Sequence, residues 1–230
     1  MTYQIFKCAK GDMNYPKAFS NLKGMPDLLY YKGDISLLNT YNSVAIVGSR
    51  ECSDKSLSFS SEAGETAAKM GLVVVNGLAL GCDTAAIVGA LRCGGKCVAI
   101  LPGGLNNIVP KSNENLAKRI LDAGGCLISE YAPNVPPKKY TYVQRDKLQS
   151  AVSQGVLVVE TKIDGGTMHT VEAAIKQRRK IAAYAAELER KSGNKYLLDS
   201  GNLPITDLNG LKDYYISLGK DMEWEQLSFL

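Results

Sequence analysis

Six short apolar runs, separated by stretches with helical grammar, constrain this chain more than any other feature. They are SVAIVG (43–48), LVVVNG (72–77), KCVAILPGG (96–104), CLISEY (126–131), GVLVVE (155–160) and KIAAY (180–184). Runs of that length, β-branched and apolar on both faces, read as strands buried beneath helices on each side. Between them one helix is expected from about Asp54 to Met70, with Ser53 placed to cap it and Gly71 to stop it. A second opens at Asp83 and runs to Gly94-Gly95, and a third covers 113–123 with Ser112 in front and Gly124-Gly125 behind. A fourth is expected over 142–153 and a fifth over 167–179. Strict alternation implies right-handed crossovers, so the fold class is α/β: an extended Rossmann-like, doubly wound, mostly parallel sheet with helices on both faces. Ligands on such sheets bind at the carboxyl ends of the strands.

At 230 residues, 45% hydrophobic and 22% charged, the chain reads as one globular domain with a real core. Residues 1–42 read as a partly helical lead-in packed on the core, 43–215 as the main domain and 216–230 as a short tail. The segment around KSGNKYLLDSGNLPI reads as loop-rich. A surplus of 27 Lys+Arg over 23 Asp+Glu is too mild for a polycation, so a nucleic-acid partner would be met by a local patch. Acids such as Asp221, Glu223 and Glu225 dilute the total elsewhere. The N-terminus has no apolar signal core, and no run nears the roughly 18 residues that span a bilayer, so a cytoplasmic protein with no membrane partner is expected. The six cysteines (8, 52, 82, 93, 97, 126) read as small buried hydrophobes; Cys93 and Cys97 have no second pair, and His169 is the only histidine, so no metal site is expected.

Small residues follow each strand: Gly48-Ser49-Arg50, Asn76-Gly77-Leu78-Ala79, Pro102-Gly103-Gly104, and Gly165-Gly166-Thr167. Glycine lets backbone approach a ligand, and free N–H groups at a helix start attract anions. Ser49, Thr167 and Thr170 add hydroxyls and Arg50 a phosphate-matching fork. Phosphate or phosphodiester is therefore the expected ligand. GSRECS is not the dinucleotide fingerprint, no P-loop occurs, and Asn76 stands where an acid would hold a ribose, so NAD and P-loop ATP chemistry are disfavoured and no cofactor is expected. Asp83 opens a helix, where capping is its commoner role; Glu130 and Asp164 cannot be paired by spacing, and no nucleophile–base set can be argued. His169 falls early in a helix at the ligand edge. Basic residues gather at Lys138, Lys139, Arg145 and Lys147, interleaved with Tyr131, Tyr140 and Tyr142, a pattern suited to single-stranded nucleic acid on a loop. A second cluster, Lys176, Arg178, Arg179 and Lys180, fits a ligand or a solvated helix end equally well.

These residues resemble the DprA/Smf family (DNA processing protein A), in order from about Tyr15 to Gly201. The likeness is carried by YP…MPDLLYYKGD (15–34), VAIVGSR (44–50), NGLALGCD (76–83), AILPGGLNNIVPKSNENLAKRI (99–120), GGCLISEYAPNVPP (124–137), RDKLQSAVS (145–153), VLVVET…GGTMHT (156–170) and SGNKYLLDSGN (192–202). The resemblance implies a non-enzymatic protein that binds single-stranded DNA, acts in DNA processing, recombination or natural transformation, helps load a RecA-type recombinase and forms a homodimer. It places the DNA or phosphate pocket on Gly48, Ser49, Arg50, Gly77, Asp83, Gly103, Gly104, Arg145, Lys147, Gly166 and Thr167. The family usually writes R-N-R where this chain has Arg145-Asp146-Lys147, and tends to place histidine at Ile87 and serine at Asn76. The winged-helix-like C-terminal module of many members is expected to be absent. Two other readings stay open. One is a nucleotide sensor or an N-glycosidase resembling the LOG phosphoribohydrolases, with Glu130 as its best acid. The other is a scaffold for protein partners with a vestigial pocket.

Overall fold

The computed structural model describes residues 3–20, 22–40, 42–186, 188 and 192–227, with residues 220–227 described as backbone only. The six apolar runs form β3 (Ser43–Val47), β4 (Val73–Asn76), β5 (Cys97–Ile100), β6 (Cys126–Ser129), β7 (Gly155–Val158) and β8 (Lys180–Tyr184). Every residue of β3 through β7 is buried, as continuous apolar strands require when both faces are covered. Alternate side chains go to opposite layers: Val44 and Ile46 join one cluster, Ala45 and Val47 the other.

The lead-in contributes more than helical packing. It holds β1 (Phe6–Ala9) and β2 (Leu28–Gly33), with only single turns at α1 (Lys17–Ser20) and α2 (Leu37–Thr40). Both strands join the sheet antiparallel, β2 against β6. The run LLYYKG, β-forming and ended by glycine, was the available signal for β2. The loop-rich segment likewise contains α8 (Ser192–Asp199) and β9 (Leu203–Ile205), the latter parallel to β8. The strand order is β1-β2-β6-β5-β4-β3-β7-β8-β9.

The helices are α3 (Asp54–Lys69), α4 (Cys82–Arg92), α5 (Glu114–Asp122), α6 (Lys139–Ala151), α7 (Thr167–Lys176) and α9 (Leu208–Leu227). Ser53 caps α3 as expected, its Oγ accepting from the Ser56 N–H at 3.3 Å. Helix α9 runs through the expected tail, and the side chains of Asp221, Glu223 and Glu225 lie outside the described residues. Residues of α3, α4, α5 and α9 pack on one face of the sheet, those of α6 and α7 on the other. Four cysteines (8, 82, 97, 126) are buried among these apolar layers, Cys52 is half-buried and Cys93 is exposed.

The chain winds outward from β3 through β4, β5 and β6, then returns to place β7 on the other side of β3. At the carboxyl ends of the strands, the segments after β3, β4 and β5 meet α6, and a crevice lies between them.

Candidate functional site

The loop after β4 forms the floor of that crevice, and buried amide and carboxyl groups hold it. Asn76 accepts from the Leu78 N–H at 3.1 Å and donates to the Asp83 carbonyl at 2.9 Å. Asp83 Oδ2 accepts from the N–H groups of Gly77 (2.9 Å) and Ala79 (3.3 Å). Asn113 donates to the Leu78 carbonyl at 2.9 Å and to Thr84 Oγ1 at 2.9 Å, while Thr84 donates to the Ala79 carbonyl at 2.7 Å. These bonds keep Leu78 in the left-handed region at φ 59°, which a branched side chain rarely adopts.

Asp83 thus does not cap α4 with its side chain; it braces the loop from behind and is not among the residues that line the cavity. Burial lifts its carboxyl to about 6, outweighing the pull of Arg145 and of the two N–H groups. A carboxyl whose folded-state value is raised stabilises the fold below its unfolded value near 4 and loses that contribution as pH rises through about 6. We expect wild type to lose about 2 kcal/mol of stability relative to D83N between pH 4 and pH 6. Denaturant titrations across that window check this, and parallel pH profiles would refute it.

Arg145 is the centre of the crevice. It is only 6% exposed, yet its guanidinium donates no hydrogen bond to the described residues. Its Nε lies 3.1 Å from Asp146 Oδ1 as an ion pair without hydrogen-bond alignment. The guanidinium fills the space beside Gly77: a Cβ there would stand 0.7 Å from Nη1. Arg145, Gly77, Arg50 and Tyr142 line one cavity of about 100 Å³, closed by Ala79, Leu80, Val109 and Pro110. Arg50 is exposed and sits over the Tyr142 ring, 5.5 Å from its centroid. A space that small takes a phosphate group, whereas whole small-molecule ligands occupy roughly 300–1,000 Å³.

The other expected residues are distributed differently. Gly48 and Ser49 seam the elements together: a Cβ on Gly48 would meet Cys82 Sγ at 2.5 Å, and the Ser49 N–H donates to the Glu160 carbonyl at 2.7 Å. Gly103 and Gly104 are buried beneath residues 132–137. The Gly104 N–H donates to the Val135 carbonyl at 2.8 Å, and a Cβ there would stand 2.0 Å from the Ala132 carbonyl oxygen. These glycines allow close packing of protein on protein rather than an approach to ligand. Lys138 and Lys139 stand exposed, but at the start of a helix rather than on a loop, because α6 begins at residue 139 and not at 142. Lys138 is the extended residue just before α6, four positions ahead of Tyr142.

Lys147 points elsewhere. Two residues apart on a helix are about 200° apart around it, so Arg145 turns into the crevice while Lys147 is exposed and bonds Gln144 at 3.1 Å. At the start of α7, Gly166 borders open space, Thr167 is half-buried, Thr170 is buried and His169 is exposed. Glu130 lies outside the cavity lining; burial pushes its carboxyl up, with Lys147 as an opposing influence. The second basic cluster sits where β8 begins, away from the strand ends: Arg179 donates to the last carbonyl of α6, Ala151, at 2.7 Å, and Lys180 to the Ser217 carbonyl at 2.9 Å. Leu80, Val109 and Pro110 were not singled out from the sequence, although all three lie inside the stretches that carry the family resemblance.

Residues 7–214 match the family of DNA recombination-mediator protein A. The chain belongs to that family. Among its recombination-mediator relatives, DNA processing protein DprA of Streptococcus pneumoniae is 38% identical over 197 residues, covering 84% of this chain and 68% of that protein. Protein Smf of Escherichia coli is 32% identical over 195 residues, 84% of this chain; the chain spans 52% of Smf's length. The solved structure of Helicobacter pylori DNA processing protein A, described for its single-stranded DNA binding mode, superposes with a TM-score of 0.84 at 29% identity. That match covers 95% of this chain and 97% of the other. Among the described residues no helix is long and apolar enough to cross a membrane.

Proposed function

We propose that the chain binds single-stranded DNA as a recombination mediator, with one backbone phosphate seated between Arg50 and Arg145. The observation that carries this reading is the buried guanidinium without a hydrogen bond. Buried polar donors are almost always paired, and an unpaired one costs about 1–3 kcal/mol, more when charged. A phosphate in the cavity would supply the acceptors that Arg145 lacks. Lys138 and Lys139 would track the neighbouring phosphates, and Tyr140 and Tyr142 offer rings for base stacking. Membership of the family supports the same ligand. The reading extends to loading of a RecA-type recombinase on the bound strand, in recombination or natural transformation, and to a homodimer, which light scattering would test.

A fluorescence titration with labelled oligothymidine at low and moderate salt tests the DNA reading. Affinity should fall steeply with salt, and absence of binding at both would refute it. Arg50→Ala is expected to weaken binding roughly tenfold, about 1.4 kcal/mol, and to flatten the log–log salt slope by about 0.7, the value for one lost single-strand phosphate contact. An unchanged slope would move Arg50 out of the site. The glycosidase reading lacks its acid at the cavity, because Glu130 is not among the lining residues. Incubation with AMP followed by detection of free base separates the two readings.

A further inference from the structure

We propose that Asp146 is a built-in counter-ion of the phosphate site, competing with DNA for the two arginines and so setting how tightly a strand is held. The inference rests on the DNA reading above. Asp146 is 8% exposed, its Oδ1 lies 3.1 Å from Arg145 Nε, and it accepts from Gln149 Nε2 at 2.8 Å. The charged groups facing it come from every neighbouring element. Arg145 shares its helix and pairs with it; Arg50, on the loop after β3, and His169, on α7, act on it electrostatically; and Asp83 opposes it from α4.

The placement has two effects on Arg145. By holding Nε, the base of the fork, Asp146 leaves the Nη side directed at Gly77 and the cavity. At the same time it cancels charge. With both acids ionised and His169 neutral, two arginines face two carboxylates, so the crevice carries no net charge before DNA arrives. A phosphate entering such a site gains little from Coulomb attraction unless a proton comes with it. Burial already pushes the Asp146 carboxyl up, and an added phosphate pushes it further. Strand binding should therefore take up a proton, and affinity should rise as pH falls.

The test is Asp146→Asn, which keeps the size and the oxygen acceptor for Gln149 but removes the charge that faces Arg145. With labelled oligothymidine at pH 7.5 and low salt, D146N is expected to bind 5- to 20-fold tighter than wild type. Its salt slope should be unchanged, since no phosphate contact is added. Wild-type affinity should rise between pH 8 and pH 5.5, and the D146N profile should be flatter, whereas H169A should keep the rise. As a readout that needs no variant, calorimetry of wild type in buffers of different ionisation enthalpy should report proton uptake on binding. D146N binding no tighter, identical pH profiles, or no proton uptake would each overturn the proposal. Failure of wild type to bind at all would instead overturn the DNA reading beneath it.

Discussion

Gly77→Ala is expected to remove most of the chain's affinity for single-stranded DNA while leaving it folded. The added Cβ would stand 0.7 Å from Nη1 and 2.0 Å from Cζ of Arg145, so the two cannot coexist. The guanidinium is the far end of a flexible side chain, and it is what must move; the loop backbone is held by Asp83, Asn76 and Asn113. Moving it takes the buried fork out of its place in the cavity and leaves a methyl group where the guanidinium sat. A fork held by the fold loses little freedom on binding, and a displaced one forfeits that advantage. Affinity should fall by more than tenfold at low salt, over 1.4 kcal/mol. Fluorescence titration beside a thermal melt checks it, and full binding by a folded G77A would show that Arg145 does not contact DNA.

Gly64→Ala is expected to do the opposite, lowering stability without touching the site. Helices α3 and α4 meet at two glycines. A Cβ on Gly64 would stand 2.0 Å from the Ala86 carbonyl oxygen, and one on Gly89 2.0 Å from that of Ser61. Here the obstacle is helix backbone, which cannot swing aside, so the helices must separate and open the core between them. Overpacking of this kind costs about 1–3 kcal/mol. For a domain of this size that lowers Tm by roughly 2–12 °C. Calorimetry reads the shift, and oligothymidine affinity well below Tm should match wild type. An unchanged Tm would contradict the close helix contact.

Together the two variants show why glycine in this sequence could not be interpreted from local pattern. Gly48, Gly77, Gly103 and Gly104 all follow apolar runs and all suit a backbone approach to phosphate. Only Gly77 borders the cavity, and there it makes room for an arginine. The other three make room for Cys82, the 132–137 loop and its prolines. A missing Cβ permits any close approach; what approaches depends on distant segments. The same holds for Arg145 and Lys147, adjacent in a motif and equally basic, which α6 sends to different faces because a helix turns about 100° per residue. Had residues 138–147 formed a loop, both could have served one ligand.

The amino-acid order by itself determined the parallel core. Strands covered on both faces must be apolar at every position, and the helices between them must start and stop at caps and glycines, so β3 to β8 and α3 to α7 were legible to within a few residues. It also pointed to the carboxyl ends of the strands as the edge to search, because ligands of doubly wound sheets bind there. Tertiary structure alone decided that β1 and β2 extend the sheet, because strands at its margin need only be apolar on part of their surface. It alone decided which cations converge. Charge and hydrogen-bonding capacity belong to a residue, but whether a guanidinium is buried, without a hydrogen bond and beside a cavity depends on the packing of segments far apart in sequence, such as Gly77 and the helix that carries Arg145.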